Sequence, residues 1–339
     1  MIAAAAPPLP HQSDVPPVAL QAASRAGKVR GTNEDAVWAG RSKAGPLLIV
    51  ADGMGGLERG EVASRLALEA VRSTLSRAGG LLQPVVPPKR LLEAVHAAQR
   101  SVRDASASAP GTMGTTLTVA WVVGRTAWIA HVGDSRAYLV RAGRVTQLTD
   151  DHTWVARQVR QGRLAPGEAG RHRFRNVLLQ AIGTDETADV DLLRVPLTKG
   201  DRLVLTSDGV TGVLPADTFD GWCLQDDAHG ITTGMLDAAD ELGSPDNASV
   251  AVATVNTSLP TGGERPSEGE RVRLKVGGAR LDAGAAARAF GMGRPAGVTA
   301  SQVARSAVRH TTPSRAGWWA AGALAVLLAA LVWWRLAAP

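Results

Sequence analysis

Apolar and polar positions follow two periods along this chain. "PLLIVADG" is a continuous apolar run, Leu47 to Val50, closed at once by an aspartate and a glycine, and it reads as a buried strand. Residues 57–79 show helical spacing, with Val62, Leu66, Leu68, Ala70 and Leu75 on one apolar stripe, and residues 88–106 predict a second helix. Short β-runs follow: "TTLTVAWVV", "TAWIAHVG", "RAYLVRAG" and "RVTQLT", with hairpin turns at Gly124-Arg125 and Ala142-Gly143. Residues 152–182 are mixed and mainly helical. "DRLVLTSDGV" (201–210) repeats the strand-then-Asp-Gly design of the first run. "GITTGMLDAADELG" (230–243) predicts a helix and "ASVAVATV" (248–255) a last strand. Helices gathered between runs of hairpin-linked strands predict an α+β layered sandwich, not a doubly wound sheet.

The ends of the chain break this patterning. Residues 1–17 are rich in alanine and proline, carry no early Lys or Arg, and read as a disordered lead-in, not a signal peptide. Ordered structure is expected over 18–256. Residues 257–316, rich in Gly, Ala, Arg, Pro and Ser, read as a flexible basic linker, within which "RVRLKVGG" reads as a small strand. Residues 318–334, "WWAAGALAVLLAALVWW", carry no charge. As a helix they span roughly 26 Å, and tryptophan pairs at both ends with Arg315 and Arg335 outside them fit an interfacial belt. A transmembrane helix over 317–335 is the expectation, followed by a short tail, 336–339. Basic residues on the linker side place that side in the cytoplasm. The expected location is thus the inner membrane, single-pass, with the main domain cytoplasmic.

Charge changes the picture only once it is mapped. The chain of 339 residues has a formal net charge of +6. Residues 1–256 have a net charge of −1, residues 257–316 one of +6, and Arg335 adds the last +1. The globular part therefore lacks the electrostatic footprint of nucleic-acid binding. Cys223 is the only cysteine, which rules out an intramolecular disulfide and any cysteine-based zinc cluster.

Candidate chemistry lies in the aspartates at strand ends or beside glycine. These are Asp35 in "RGTNEDAV", Asp52 in "VADGMGG", Asp134 in "HVGDSRAYL", Asp208 in "LTSDGV" and Asp246 in "PDNASV". Any one alone reads as a turn or a cap. Together, carboxylates at strand ends repel unless a cation neutralises them, and all-oxygen ligation suits Mg²⁺ or Mn²⁺. Two such ions clamp a phosphoryl group and activate water. Arg30, five residues before Asp35, carries a guanidinium that can fork onto phosphate oxygens. His131 and His152 read as structural histidines. Ser135 and Ser207 have no base placed for them by any motif.

"RGTNED", "VADGMGG", "GTTLTVAWV", "HVGDSRAYL", "LTDDHT", "SDGVTG" and "DNASV" occur in this order. Together they resemble the metal-dependent serine/threonine protein phosphatases, the PPM family of type 2C, in bacterial style. The resemblance covers about residues 18–256 and implies a four-layer αββα sandwich, a central antiparallel β-sandwich flanked by helix pairs, with two Mn²⁺ or Mg²⁺ ions at one end. It implies that Asp52 bridges both ions, with the Gly53 carbonyl on one of them. Asp208 and Asp246 would hold one ion, and Asp35 and Glu34 would support the other. Arg30 would bind substrate phosphate, and Asp134 would hold a weaker third ion. The implied partners are phosphoserine and phosphothreonine proteins and an opposing serine/threonine kinase. Residues 152–182 resemble the family's flap. Two positions depart from the pattern: Met54 stands where some relatives carry His, and Gly212 where many carry an acidic residue. A phosphoprotein-binding module without turnover, or a hydrolase of another phosphate ester, remains an alternative.

Overall fold

The computed structural model describes residues 18–55, 59–76, 86–108, 112–256, 270–277 and 282–292. In chain order its strands are β1 (Val18–Arg25), β2 (Asp35–Ser42), β3 (Gly45–Met54), β4 (Gly114–Thr115), β5 (Leu117–Val123), β6 (Thr126–Val132), β7 (Arg136–Arg141), β8 (Arg144–Gln147), β9 (Thr187–Pro196), β10 (Arg202–Thr206), β11 (Ala248–Val255) and β12 (Glu270–Gly277). Its helices are α1 (Arg59–Ser76), α2 (Pro87–Ala107), α3 (Trp154–Arg160), α4 (Pro166–Ala169), α5 (Asp208–Thr211), α6 (Ala216–Cys223), α7 (Ala228–Glu241) and α8 (Ala283–Ala289).

Two antiparallel sheets face each other. One runs β1-β11-β10-β7-β8 and the other β12-β9-β6-β5-β3-β2. The two-period sequence pattern explains the layering. In β3, Leu47, Ile49 and Ala51 point at α1 and α2, while Leu48 and Val50 point into the space between the sheets. A strand covered on both faces needs a continuous apolar run, and this one has it. β11 is built the same way: Ala251, Ala253 and Val255 face the other sheet, and Val250 and Val252 pack under α6 and α7. The layers are therefore helix, sheet, sheet, helix, as the resemblance implies. Both hairpin turns are as read from the sequence. Gly124 has positive φ after β5, and Ala142 and Gly143 both do between β7 and β8, the twist that two-residue hairpins prefer.

In the C-terminal third the small strand read in "RVRLKVGG" is present, and it belongs to the folded body. Residues 270–277, inside the stretch read as a flexible linker, form an edge strand paired residue for residue with β9. Alternation is the reason: Val272, Leu274 and Val276 pack against the core shared with α1 and α2. Arg271, Arg273 and Lys275 point the other way, to Asp150, Asp191 and Asp189. Residues 283–289 add helix α8, whose neighbour Phe290 meets Trp128 edge-on at 5.2 Å. The folded body thus runs past residue 256. The lead-in 1–17, the span expected over 317–335 and the tail 336–339 lie outside the described residues. Among the described residues no helix is long and apolar enough to cross a membrane.

Candidate metal centre

The acidic residues reach one end of the sandwich because strands of both sheets stop there. Asp35 opens β2 and stands directly opposite Asp52 near the end of β3. Asp208 follows β10 by two residues and opens α5. Asp246 precedes β11, and Gly133-Asp134 follows β6. Asp134 and Asp208 line a cleft of about 270 Å³ with Arg136, Asp151, Gly212 and the flap residues Ala169, Gly170, Arg175 and Asn176.

Electrostatics shows how closely the carboxyls face each other. Burial pushes the Asp52 carboxyl well above the ordinary range, and Asp35, Asp208 and Asp134 push it further. Asp35 is pushed up to about 7, by burial first and then by Asp208 and Asp246 against the pull of two serine hydroxyls. Asp134 is pushed up to about 8 by burial and then by Asp208 and Asp151. Asp208 is raised by burial and by Asp246. No three His, Cys, Asp or Glu side chains among the described residues are gathered at ligand distance.

The donor set fits a hard cation. Asp35 Oδ1 and Asp208 Oδ1 are buried and accept no hydrogen bond. An unpaired buried carboxylate oxygen is costly, and a divalent ion bound by oxygen ligands removes that cost. The other oxygen of Asp35 is fixed: Ser207 Oγ donates to Oδ2 at 2.8 Å and Ser249 Oγ at 2.7 Å. Asp52 is held through its backbone, its N–H donating to Thr116 Oγ1 at 2.9 Å and its carbonyl accepting from Thr115 Oγ1 at 2.9 Å. Its side chain faces the other acids and shares a hydrogen bond with Asp208.

Glycine is required at two turns. A Cβ on Gly53 would lie 2.0 Å from the Gly60 carbonyl oxygen, and one on Gly209 would lie 2.0 Å from that of Asn247. These close approaches seat Asp52 and Asp208 on tight backbone. The structure places Arg30 at the rim, 45% exposed, with Nη2 2.9 Å from Asp246 Oδ2 and Nη1 3.4 Å from Glu34 Oε2. Glu34 in turn passes over Gly60, and its carbonyl accepts from the Gly53 N–H at 3.1 Å. Asp35, Asp52, Asp208, Asp246, Glu34 and Arg30 are thus brought together. Asp134 joins them through the cleft it shares with Asp208.

The residues that orient this set escaped the sequence reading. Ser207, weighed there only as a nucleophile, instead orients Asp35 and accepts the Ser249 N–H at 2.9 Å. Asn247 Oδ1 accepts the Glu34 N–H at 2.9 Å, and its Nδ2 donates to the Thr32 carbonyl at 3.2 Å. The signal was present: serine and asparagine beside each aspartate, in "TSDG" and "DNASV". Ser135 is buried with its Oγ 2.7 Å from Thr116 Oγ1. His131 is a buried structural group, its pKa pushed down to about 3 by burial and then by the neighbouring His152 ring.

Known proteins resemble this chain in sequence and in fold. The family model for protein phosphatase 2C matches residues 27–237. The serine/threonine protein phosphatase PstP of Mycobacterium tuberculosis is 35% identical over 240 residues, which take in 69% of this chain and 44% of the relative. The serine/threonine phosphatase stp of Listeria innocua is 34% identical over 194 residues, 56% of this chain and 76% of the relative. The chain thus aligns with less than half of the length of the mycobacterial relative. The crystal structure of the PstP catalytic domain in complex with two manganese ions superposes with a TM-score of 0.64 at 33% identity, over 71% of this chain and 99% of that one. The Streptococcus agalactiae serine/threonine phosphatase gives 0.66 at 30% identity, over 70% of this chain and 100% of that one. By the ordered motifs, the layered fold and these matches, the chain belongs to the protein phosphatase 2C family.

Proposed function

We propose that this chain hydrolyses phosphoserine and phosphothreonine in proteins, with two Mn²⁺ or Mg²⁺ ions held by Asp52, Asp208, Asp246, Asp35, Glu34 and the Gly53 carbonyl. The observation that carries the reading is the pair of buried, unpartnered oxygens, Asp35 Oδ1 and Asp208 Oδ1, beside a third buried carboxyl, Asp52. Such ions, when bound, supply Lewis acidity toward phosphoryl oxygens and activate water. Arg30 stays charged at every working pH and sits half-exposed at the rim, so its fork can receive two phosphate oxygens and hold phosphorus for in-line attack. Its contacts with Asp246 and Glu34 hold it beside the acidic set until phosphate arrives. Met54 has no proton to give, so the departing serine or threonine oxygen takes its proton from water. Asp134, in the cleft with Asp208, is the candidate ligand of a third ion, and Gly212 contributes no acidic side chain there.

The membrane belongs to the same proposal. The uncharged run 318–334 with its tryptophan pairs supports a single-pass anchor, and the basic residues before it support a cytoplasmic catalytic domain. A tether raises the local concentration of the enzyme toward phosphoproteins made by a membrane-associated serine/threonine kinase. The test follows phosphate release from a phosphothreonine peptide with Mn²⁺, with Mg²⁺ and with chelator, beside the Asp208→Ala protein. Metal-dependent release that disappears in the variant is expected. Binding of metal and phosphopeptide without release would instead make the chain a binding module.

A further inference from the structure

A second buried polar cluster lies outside the candidate centre. Asp191 on β9 is 1% exposed and stands directly opposite Arg273 on β12. Arg273 forks onto it, Nε to Oδ1 at 2.5 Å and Nη2 to Oδ2 at 2.9 Å. Oδ2 also lies 3.4 Å from His152 Nε2. The Gly133 N–H donates to His152 Nδ1 at 3.3 Å. In this network Nδ1 is the acceptor, and Nε2 lies 3.4 Å from both Asp191 Oδ2 and Arg273 Nη2.

His152 stands where three segments meet. Its backbone N–H donates to the Gly133 carbonyl at 2.7 Å, next to Asp134. Its carbonyl accepts the Leu179 N–H at 2.7 Å, and the Trp154 N–H donates to the Val177 carbonyl at 2.8 Å. The flap that holds α3 and α4 therefore leaves and returns through residues hydrogen-bonded at His152. Arg271, two residues before Arg273, pairs with Asp150 and donates to the Leu148 carbonyl. Asp151, between Asp150 and His152, receives the Arg136 fork at 2.9 and 2.7 Å, and both of these residues line the cleft with Asp134 and Asp208.

We propose that β12 is a clamp built into this chain, with Arg273 a positioning residue that fixes the base of the flap and the Asp134 loop through Asp191 and His152. Two faces of the strand do two jobs. Val272, Leu274 and Val276 bind it to the core, and its arginines reach the flap base. The strand lies beyond residues 27–237, which the family model matches. Removing the Arg273 guanidinium leaves the buried Asp191 carboxylate with only the His152 contact at 3.4 Å from this pair, and the flap base loosens.

The test uses the full chain and four proteins: wild type, Arg273→Ala, Arg273→Lys and Lys275→Ala. Lys275 is on the same strand, but its ion-pair partner is Asp189, at 3.3 Å, where that of Arg273 is Asp191. Amide hydrogen exchange is read at residues 152–154 and 179 and, as a control, at 203–205 of β10. Arg273→Ala is expected to speed exchange at the flap base by about tenfold or more with β10 unchanged. Lys275→Ala should match wild type, and Arg273→Lys, which keeps charge but loses the fork, should fall between. Unchanged exchange at the flap base, or an equal rise in β10 or in Lys275→Ala, overturns the clamp. The second readout rests on the phosphatase reading. Arg273→Ala should raise KM for a phosphothreonine peptide roughly three- to tenfold while kcat on p-nitrophenyl phosphate stays within about twofold. A peptide KM equal to wild type overturns the link to substrate. If wild type releases no phosphate, the exchange readout alone decides the clamp.

Discussion

Two regions of this protein bury acidic groups, and they do it in opposite ways. At the candidate centre, Asp35 and Asp134 are pushed up to about 7 and about 8, and two buried oxygens have no partner. Behind the flap, Asp191 is just as deeply buried, which alone would push it up. The hydrogen bonds of Arg273 and His152 outweigh burial and hold it below the ordinary carboxylate range. The difference teaches how to tell a binding site from a structural one. A structural carboxylate has its partners within the chain. A ligand-binding one is oriented on one oxygen, as Asp35 is by Ser207 and Ser249, and left open on the other. Such unpaired groups point to an outside partner of opposite charge.

The comparison can be broken by changing one region at a time. Asp208→Ala removes an open oxygen, and Mn²⁺-dependent phosphate release is expected to fall by about 10²-fold or more. Undiminished release in steady-state assays would mean the acidic end is not where the chemistry lies. Ser207→Ala leaves the carboxylates in place but lets Asp35 turn. Metal affinity should weaken by roughly 10- to 100-fold with little change in melting temperature, as a Mn²⁺ titration would record. An unchanged titration would reduce the hydroxyl to a packing role. Arg30→Lys keeps the charge at the rim and loses the fork. KM for a phosphopeptide should rise by about tenfold with a smaller change in kcat. A fall in kcat with KM untouched would place Arg30 in the transition state alone.

How much of this was legible beforehand follows from what each feature depends on. The buried strands were readable because covering on both faces demands a continuous apolar run, as in Leu47 to Val50. The acidic set was readable because strand-ending aspartates recur in order. The orienting serines and Asn247 were not, because a hydroxyl beside an aspartate looks like turn chemistry until register brings it to a partner far along the chain. Strand β12 was half-legible. Its alternation was visible, but its composition belongs to a basic linker. Only the opposing acids Asp150, Asp189 and Asp191 make those cations into the inner face of a sheet edge. Pairing across such sequence distance is set by tertiary structure, and local propensity carries little of it.

The smallest expected effect tests the balanced region. Asp191→Asn keeps the shape of the side chain and removes the charge that Arg273 answers. Because Arg273 is itself half-exposed, water takes over part of its solvation, and the loss of stability is expected at about 1–3 kcal/mol near neutral pH. The sign with pH is fixed by linkage. A carboxyl held below its unfolded value near 3.9 contributes stability that is present above that pH and is lost as pH falls through its folded value. Thermal unfolding from about pH 5 downward should therefore show wild type losing stability steeply and Asp191→Asn less so, the two curves converging in acid. Parallel curves would mean that Asp191 is not ionised in the folded protein. The contrast with the unbalanced acidic end would then be one of degree, and the clamp would hold by shape without charge.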